Sequence, residues 1–148
     1  MDLWELAARE QIRDTLARYV YCADTGRFAD LVALFTEDGV LEIDGRAPLE
    51  GRAAIEAFLT GTKSNLAANL THPLIRHHVS SVRIEVHSPD EASAASYFLA
   101  ITERGPDHWG RYRDRLARAG ELWLFHHRRV RPDGHSPNSW VATRREAP

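Results

Sequence analysis

The chain predicts an α+β fold: a cone-shaped α+β barrel in which three N-terminal helices pack on a curved, mostly antiparallel sheet. Three observations carry this. Apolar residues recur at helical spacing only within residues 5–59, extended segments dominate from residue 76 onward, and the breaks between those segments are short. Helices packed on a curled sheet leave a cone-shaped cavity between the two layers.

Residues 5–24 read as the first helix. Ile12, Leu16, Tyr19, Val20 and Ala23 form its apolar face, and Arg9, Arg13, Asp14 and Arg18 fill the other. Thr25 and Gly26 close it, glycine being suited to a left-handed cap. A shorter helix follows, with Phe28, Leu31, Val32 and Phe35 on one side. The stretch 38–45, DGVLEIDG, is a short strand between turn residues. Ile55, Phe58 and Leu59 mark a third short helix over Ala53–Leu59, behind Gly51. Residues 61–75 lack a clear period and contain Gly, Ser, Asn and Pro, so they read as a loop long enough to cover a pocket.

Four strands follow, Arg76–His87, Ala92–Glu103, Trp109–Ala117 and Glu121–Arg131. Their breaks, SPDE, RGPD and RAG, suit an antiparallel meander. The tail from Pro132 carries Pro, Gly and Ser and reads as irregular. No repeat or linker divides the chain, so residues 1–148 form one domain.

Composition narrows the function classes. The chain has 43% hydrophobic and 27% charged residues and a net charge of −2, with a sequence pI near 6.4, which gives no basic field for a nucleic-acid backbone. The arginine-rich stretches RYRDRLAR and HHRRVR alternate with Asp114 and apolar residues, as solvated strand faces do. No apolar run approaches the roughly 18 residues of a membrane span, and no signal peptide is apparent, so a cytoplasmic protein is expected. The single cysteine, Cys22, excludes a disulfide framework and reads as a small packed residue. Eight histidines raise the question of a metal, but His77–His78 and His126–His127 each split across two strand faces and no HExxH helix exists. No metal and no cofactor are expected.

Two polar residues are predicted to face inward. Leu16, Val20 and Asp24 are four residues apart, which places Asp24 on the core-facing stripe of the first helix, although a C-terminal Asp can equally turn to solvent or cap the turn. On the first long strand, His78, Ser80, Val82, Ile84 and Val86 share the more apolar face, so His78 is expected inside and His77 outside. A histidine alone on an apolar face is more often a satisfied core residue than a catalyst. A carboxylate on one ring nitrogen changes that, because it sets the tautomer and raises the basicity of the other. Tyr19 shares the apolar face with Asp24 and reads either as an acid or as core packing. Tyr112 and Asp114 share one face of the third strand. Arg131, ending the last strand, is either a clamp for a substrate oxygen or a solvated strand end.

The segment RDTLARYVYCADTGRFADLVALFTEDGVLEIDG, followed by GRAAIEAFL, resembles the opening of SnoaL-like proteins of the nuclear transport factor 2-like superfamily. HHVSSVRIEV and GRYRDRLARAGELWLFHHRRV resemble that family's histidine strand and its last two strands. The resemblance covers roughly residues 5–131 and is nearest the branch of scytalone dehydratase, bile-acid 7α-dehydratase and hexachlorocyclohexane dehydrochlorinase. It implies an Asp–His base falling on Asp24 and His78, a tyrosine falling on Tyr19, and a late arginine falling on Arg131 or Arg129. The pocket tyrosine that some members carry in the first short strand is replaced here by LEID. The resemblance also implies a homodimer or homotrimer acting on a small apolar substrate.

The expected function is a cofactor-independent lyase, of dehydratase type, or an isomerase acting on a steroid, terpenoid or polyketide. The alternatives are a non-catalytic ligand-binding or subunit-type module on the same fold, or a polyketide cyclase.

Overall fold

The computed structural model describes residues 1–143. Helix α1 (Leu3–Thr25) buries Ala8, Ile12, Leu16, Tyr19 and Cys22 at spacings of three and four, the stripe that an amphipathic helix turns toward a core. Gly26 ends it with φ 71°, and the Arg27 N–H donates to the Cys22 carbonyl at 2.9 Å, an αL closure that leaves Asp24 in the last turn. Helix α2 (Phe28–Val32) follows at once. Strand β1 (Phe35–Ile43) begins earlier than the turn residues at 38–39 suggest, so Phe35 is a buried strand residue and does not extend the helix before it. A two-residue strand, β2 (Leu49–Glu50), pairs with β1 and leads into helix α3 (Arg52–Asn69).

Helix α3 overturns the loop expected at 61–75. It continues for ten residues past Leu59, and only residues 70–75 are irregular. Gly61 costs a helix about 1 kcal/mol relative to Ala, a small penalty beside the tertiary packing of Leu59 and Leu66. Thr62, Ser64 and Asn69 donate back to carbonyls four residues earlier, so these polar side chains find partners along the helix itself while packing holds it.

Strands β3 (Arg76–Val86), β4 (Glu91–Thr102), β5 (Gly105–Ala119) and β6 (Leu122–His135) form the expected meander. The sheet order is β2-β1-β6-β5-β4-β3, antiparallel throughout except where β1 runs parallel to β6. The sheet curves around the helices without closing. The tail beyond Pro132 is more ordered than expected: β6 runs on to His135, and a short helix, α4 (Trp140–Thr143), follows. Among the described residues no helix is long and apolar enough to cross a membrane.

One core cluster joins α1, α2, α3 and the concave sheet face through Ile12, Leu31, Phe35, Ile55, Trp123 and Phe125. Within it lies a charge pair. Arg128 donates from Nε and Nη2 to the Asp114 carboxylate at 2.9 and 3.1 Å, with both side chains at 1% exposure or less. The guanidinium carbon lies 3.8 to 4.5 Å from the ring centroids of Tyr112, Tyr19 and Phe125. Burial penalises both charges; the two-point bond and the π faces offset that cost. Asp114→Ala strands the guanidinium without its counter-charge, and an equilibrium denaturant titration is expected to show a loss of about 3–5 kcal/mol.

Candidate functional site

The concave face opens into a cavity with two connected lobes, of about 330 and 640 Å³. Tyr19, Thr62, His77, His108, Tyr112 and Trp140 line both lobes, so these residues form the waist between them. Phe28, Leu59, Leu66 and Ile75 wall the first lobe; Ile43, Phe58, Phe98 and Val130 wall the second.

Asp24 faces the cavity as expected, on the wall of the first lobe, but its partner is His77 at the waist and not His78. The His77 Nδ1 is 2.6 Å from Asp24 Oδ1, and the His77 backbone N–H donates to Asp24 Oδ2 at 3.0 Å. The two side chains are 18% and 7% exposed, whereas His78 faces out. The expected face was wrong because β3 contains a bulge. Ser80 pairs with Tyr97 and Arg83 with Ala95, which leaves one extra residue in β3, and Ser81 takes φ 53°. Alternation restarts across a bulge. Val82, Ile84 and Val86 therefore face the core after it, while His77 and Val79 face inward before it.

Strand β3 is the sheet edge, so the outward backbone N–H of His77 has no strand to pair with; Asp24 supplies the acceptor. The same carboxylate, bonded to Nδ1, holds the proton on that nitrogen and leaves Nε2 as the basic one.

Tyr19 and Tyr112 are buried beside the histidine, with ring centroids 6.3 Å apart. Burial raises both phenols above their ordinary range, against the opposing pull of Arg128, so both stay protonated donors at neutral pH. Phe98 stacks on Tyr112 at 4.7 Å and flanks His77 at 6.3 Å, which restricts both rings.

Arg131 does not reach the cavity. With Arg129 it lies on the convex face, where Arg129 and Arg131 donate to Asp44 at 2.7 and 3.3 Å. The inward arginine is Arg128; from Arg128 to Arg131 the register on β5 is unbroken, so simple alternation turns Arg128 and Val130 inward and Arg129 and Arg131 outward, and the resemblance had pointed to the outward pair. His108 was also missed. It projects from β5 beside Tyr112, two strands from His77, with the two ring centroids 6.3 Å apart. Its Nδ1 is 2.8 Å from the buried Asp107 carboxylate. The sequence carried a signal for it, since Asp107–His108 repeats the Asp–His combination, but the predicted strand began only at Trp109. Among the described residues no three His, Cys, Asp or Glu side chains gather into a metal-binding group.

Comparison with known proteins places this geometry in a family. The chain is similar to a candidate scytalone dehydratase from Novosphingobium aromaticivorans, at 26% identity and a TM-score of 0.79, over 92% of this chain and 91% of that one. It is similar to an NTF2-like protein with a cystatin-like fold from the same organism, at 28% identity and a TM-score of 0.75, over 97% and 98%. LinA shares the fold at 19% identity and a TM-score of 0.80, over 99% and 98%. No curated protein matches the chain. The model of the SnoaL-like domain matches residues 4–129, most of the chain and all of the elements that build the cavity up to Arg129; the chain belongs to the SnoaL-like domain family, in the nuclear transport factor 2-like superfamily.

Proposed function

We propose that the chain is a cofactor-independent lyase or isomerase that moves a proton on a small, apolar, oxygenated molecule. The observation that carries this reading is the Asp24–His77 pair, bonded at 2.6 Å and opening on an aromatic-walled cavity. A binding module needs no imidazole held in one tautomer by a carboxylate; a general base does. The similarity to a candidate scytalone dehydratase supports the same class of chemistry.

In this mechanism His77 Nε2 takes a proton from a carbon next to a carbonyl. The charge left on the carbonyl oxygen meets the hydroxyl protons of Tyr19 and Tyr112, which burial keeps in place. Return of that proton from the His77 imidazolium to a β-hydroxyl, which then leaves as water as the C–O bond breaks and the alkene forms, completes an elimination; its return to another carbon completes an isomerisation. Asp24 stays ionised and stabilises the imidazolium that forms. The apolar walls exclude water from the enolate and make each hydrogen bond stronger than it would be in solvent. These walls suit a substrate whose body is ring or chain hydrocarbon and whose oxygens sit at the waist.

The test is a panel of hydroxy-ketones and steroids incubated in D2O, with mass spectrometry reading both water loss and deuterium uptake. On any substrate turned over, His77→Ala and Asp24→Asn are expected to lower kcat by about 10²–10⁴ while His78→Ala leaves it unchanged. Full activity in His77→Ala would sink the mechanism, and a dead His78→Ala would return the base to the other face. Tyr19→Phe removes one donor to the developing oxyanion, and kcat is expected to fall by up to about 10² with KM little changed.

A further inference from the structure

Asp107 does not act like an ordinary strand residue. Ala100 pairs with His108 and Ile101 with Pro106, so Asp107 is the unpaired extra residue of a bulge in β5. Its carboxylate is fully buried and gathers donors from two directions. His108 Nδ1 lies 2.8 Å away on the cavity side. On the other side the Ser139 hydroxyl donates at 2.7 Å and the Trp140 backbone N–H donates at 2.7 Å.

Those last two donors belong to the segment 136–143, which crosses the cavity after β6. Trp140 walls both lobes and packs on Leu66 of α3 and on Leu70 just beyond it. The far end of the segment is tied separately: Arg104 donates to Thr143 Oγ1 at 2.8 Å and to the Asn138 carbonyl at 3.3 Å. If the segment lifts, Asp107 loses two donors inside an apolar wall, and an ionised carboxylate there is costly unless solvated. Water admitted to replace them also competes for the bond to His108. The three short bonds to this carboxylate therefore stand or fall together, Thr102 adding only a long one at 3.5 Å.

We propose that Asp107 is a positioning residue that couples docking of the 136–143 segment to the orientation of His108, so that the cavity is closed and its second imidazole aimed in one step. The inference adds a closure device to the proton-transfer site, and it holds or fails independently of which reaction that site performs. Thermodynamic coupling is reciprocal, so disturbing either partner of Asp107 must be felt at the other.

The test is NMR hydrogen exchange on the full chain at one pH, reading the His108 ring Nδ1–H and the Trp140 backbone N–H, with no substrate. Ser139→Ala is expected to speed exchange of the His108 Nδ1–H by about 5- to 30-fold, the range of a lost buried hydrogen bond. His108→Ala is expected to speed exchange of the Trp140 N–H in the same range. Thr143→Ala removes the Arg104 tie to Thr143 and the bond from the Thr143 hydroxyl to the Ser139 carbonyl at 2.8 Å, touches no atom bonded to the Asp107 carboxylate, and is expected to raise both rates in parallel. The proposal is overturned if His108→Ala leaves the Trp140 rate unchanged. It is equally overturned if Thr143→Ala speeds Trp140 while the His108 proton keeps its rate. Because Thr143 lies at the exposed end of the segment, that outcome is readable even where Ser139→Ala does not fold.

Discussion

Asp24 ties the end of α1 to the free edge of the sheet through two bonds to a single residue, and the cavity depends on that grip. One carboxylate oxygen takes the backbone N–H of His77 and the other takes its ring. An edge strand needs a partner for its outward N–H groups, and a buried carboxylate needs donors; each satisfies the other. The bond therefore sets how far α1 stands from β3, and with it one side of the space between helices and sheet. It also dictates which imidazole nitrogen is basic. Structure and chemistry share the same two hydrogen bonds.

Below this waist the Arg128–Asp114 pair plays a different part. Buried ion pairs are seldom a source of net stability, since desolvation consumes most of their attraction. Here the guanidinium lies against Tyr19, Tyr112 and Phe125, rings that come from α1, β5 and β6. A planar cation clamped by a two-point carboxylate and three aromatic rings is confined to one arrangement, even though its Nη1 is buried without a hydrogen-bond partner. It holds the two cavity phenols in register with the histidine while staying out of the cavity itself. The interaction is better understood as specifying geometry than as adding stability.

Much of the fold was legible because it rests on local periodicity. The stripe of Ile12, Leu16 and Tyr19, the Gly26 cap and the short breaks of the meander are contained within a few residues of sequence, and each produced the element expected. The second half of α3 was not legible. Gly, Ser, Thr and Asn weaken the helical signal there, and the residues that hold it, Leu66 against Leu70 and Trp140, come together only in the folded chain. The tail was misread for the same reason, because its ordering partners are Asp107 and Arg104, more than thirty residues away in sequence.

The amino-acid sequence by itself determined the layer architecture and carried the resemblance to the family; spacing left Asp24 open between the core stripe and the turn, and only the fold turned it inward onto the histidine strand. Nor did the sequence determine which histidine. Strand alternation is a parity rule, and one extra residue at Ser81 reverses the parity of everything before it. Bulges and register breaks are agreements between two strands, so a single strand's sequence does not display them. His77 in place of His78 and the appearance of His108 behind Asp107 both lie beside such irregularities, whereas Arg128 in place of Arg131 follows from ordinary alternation once β6 is paired with β5. Which residue types the site contains was written in the chain; which copy of each faces the cavity was decided only when the strands paired.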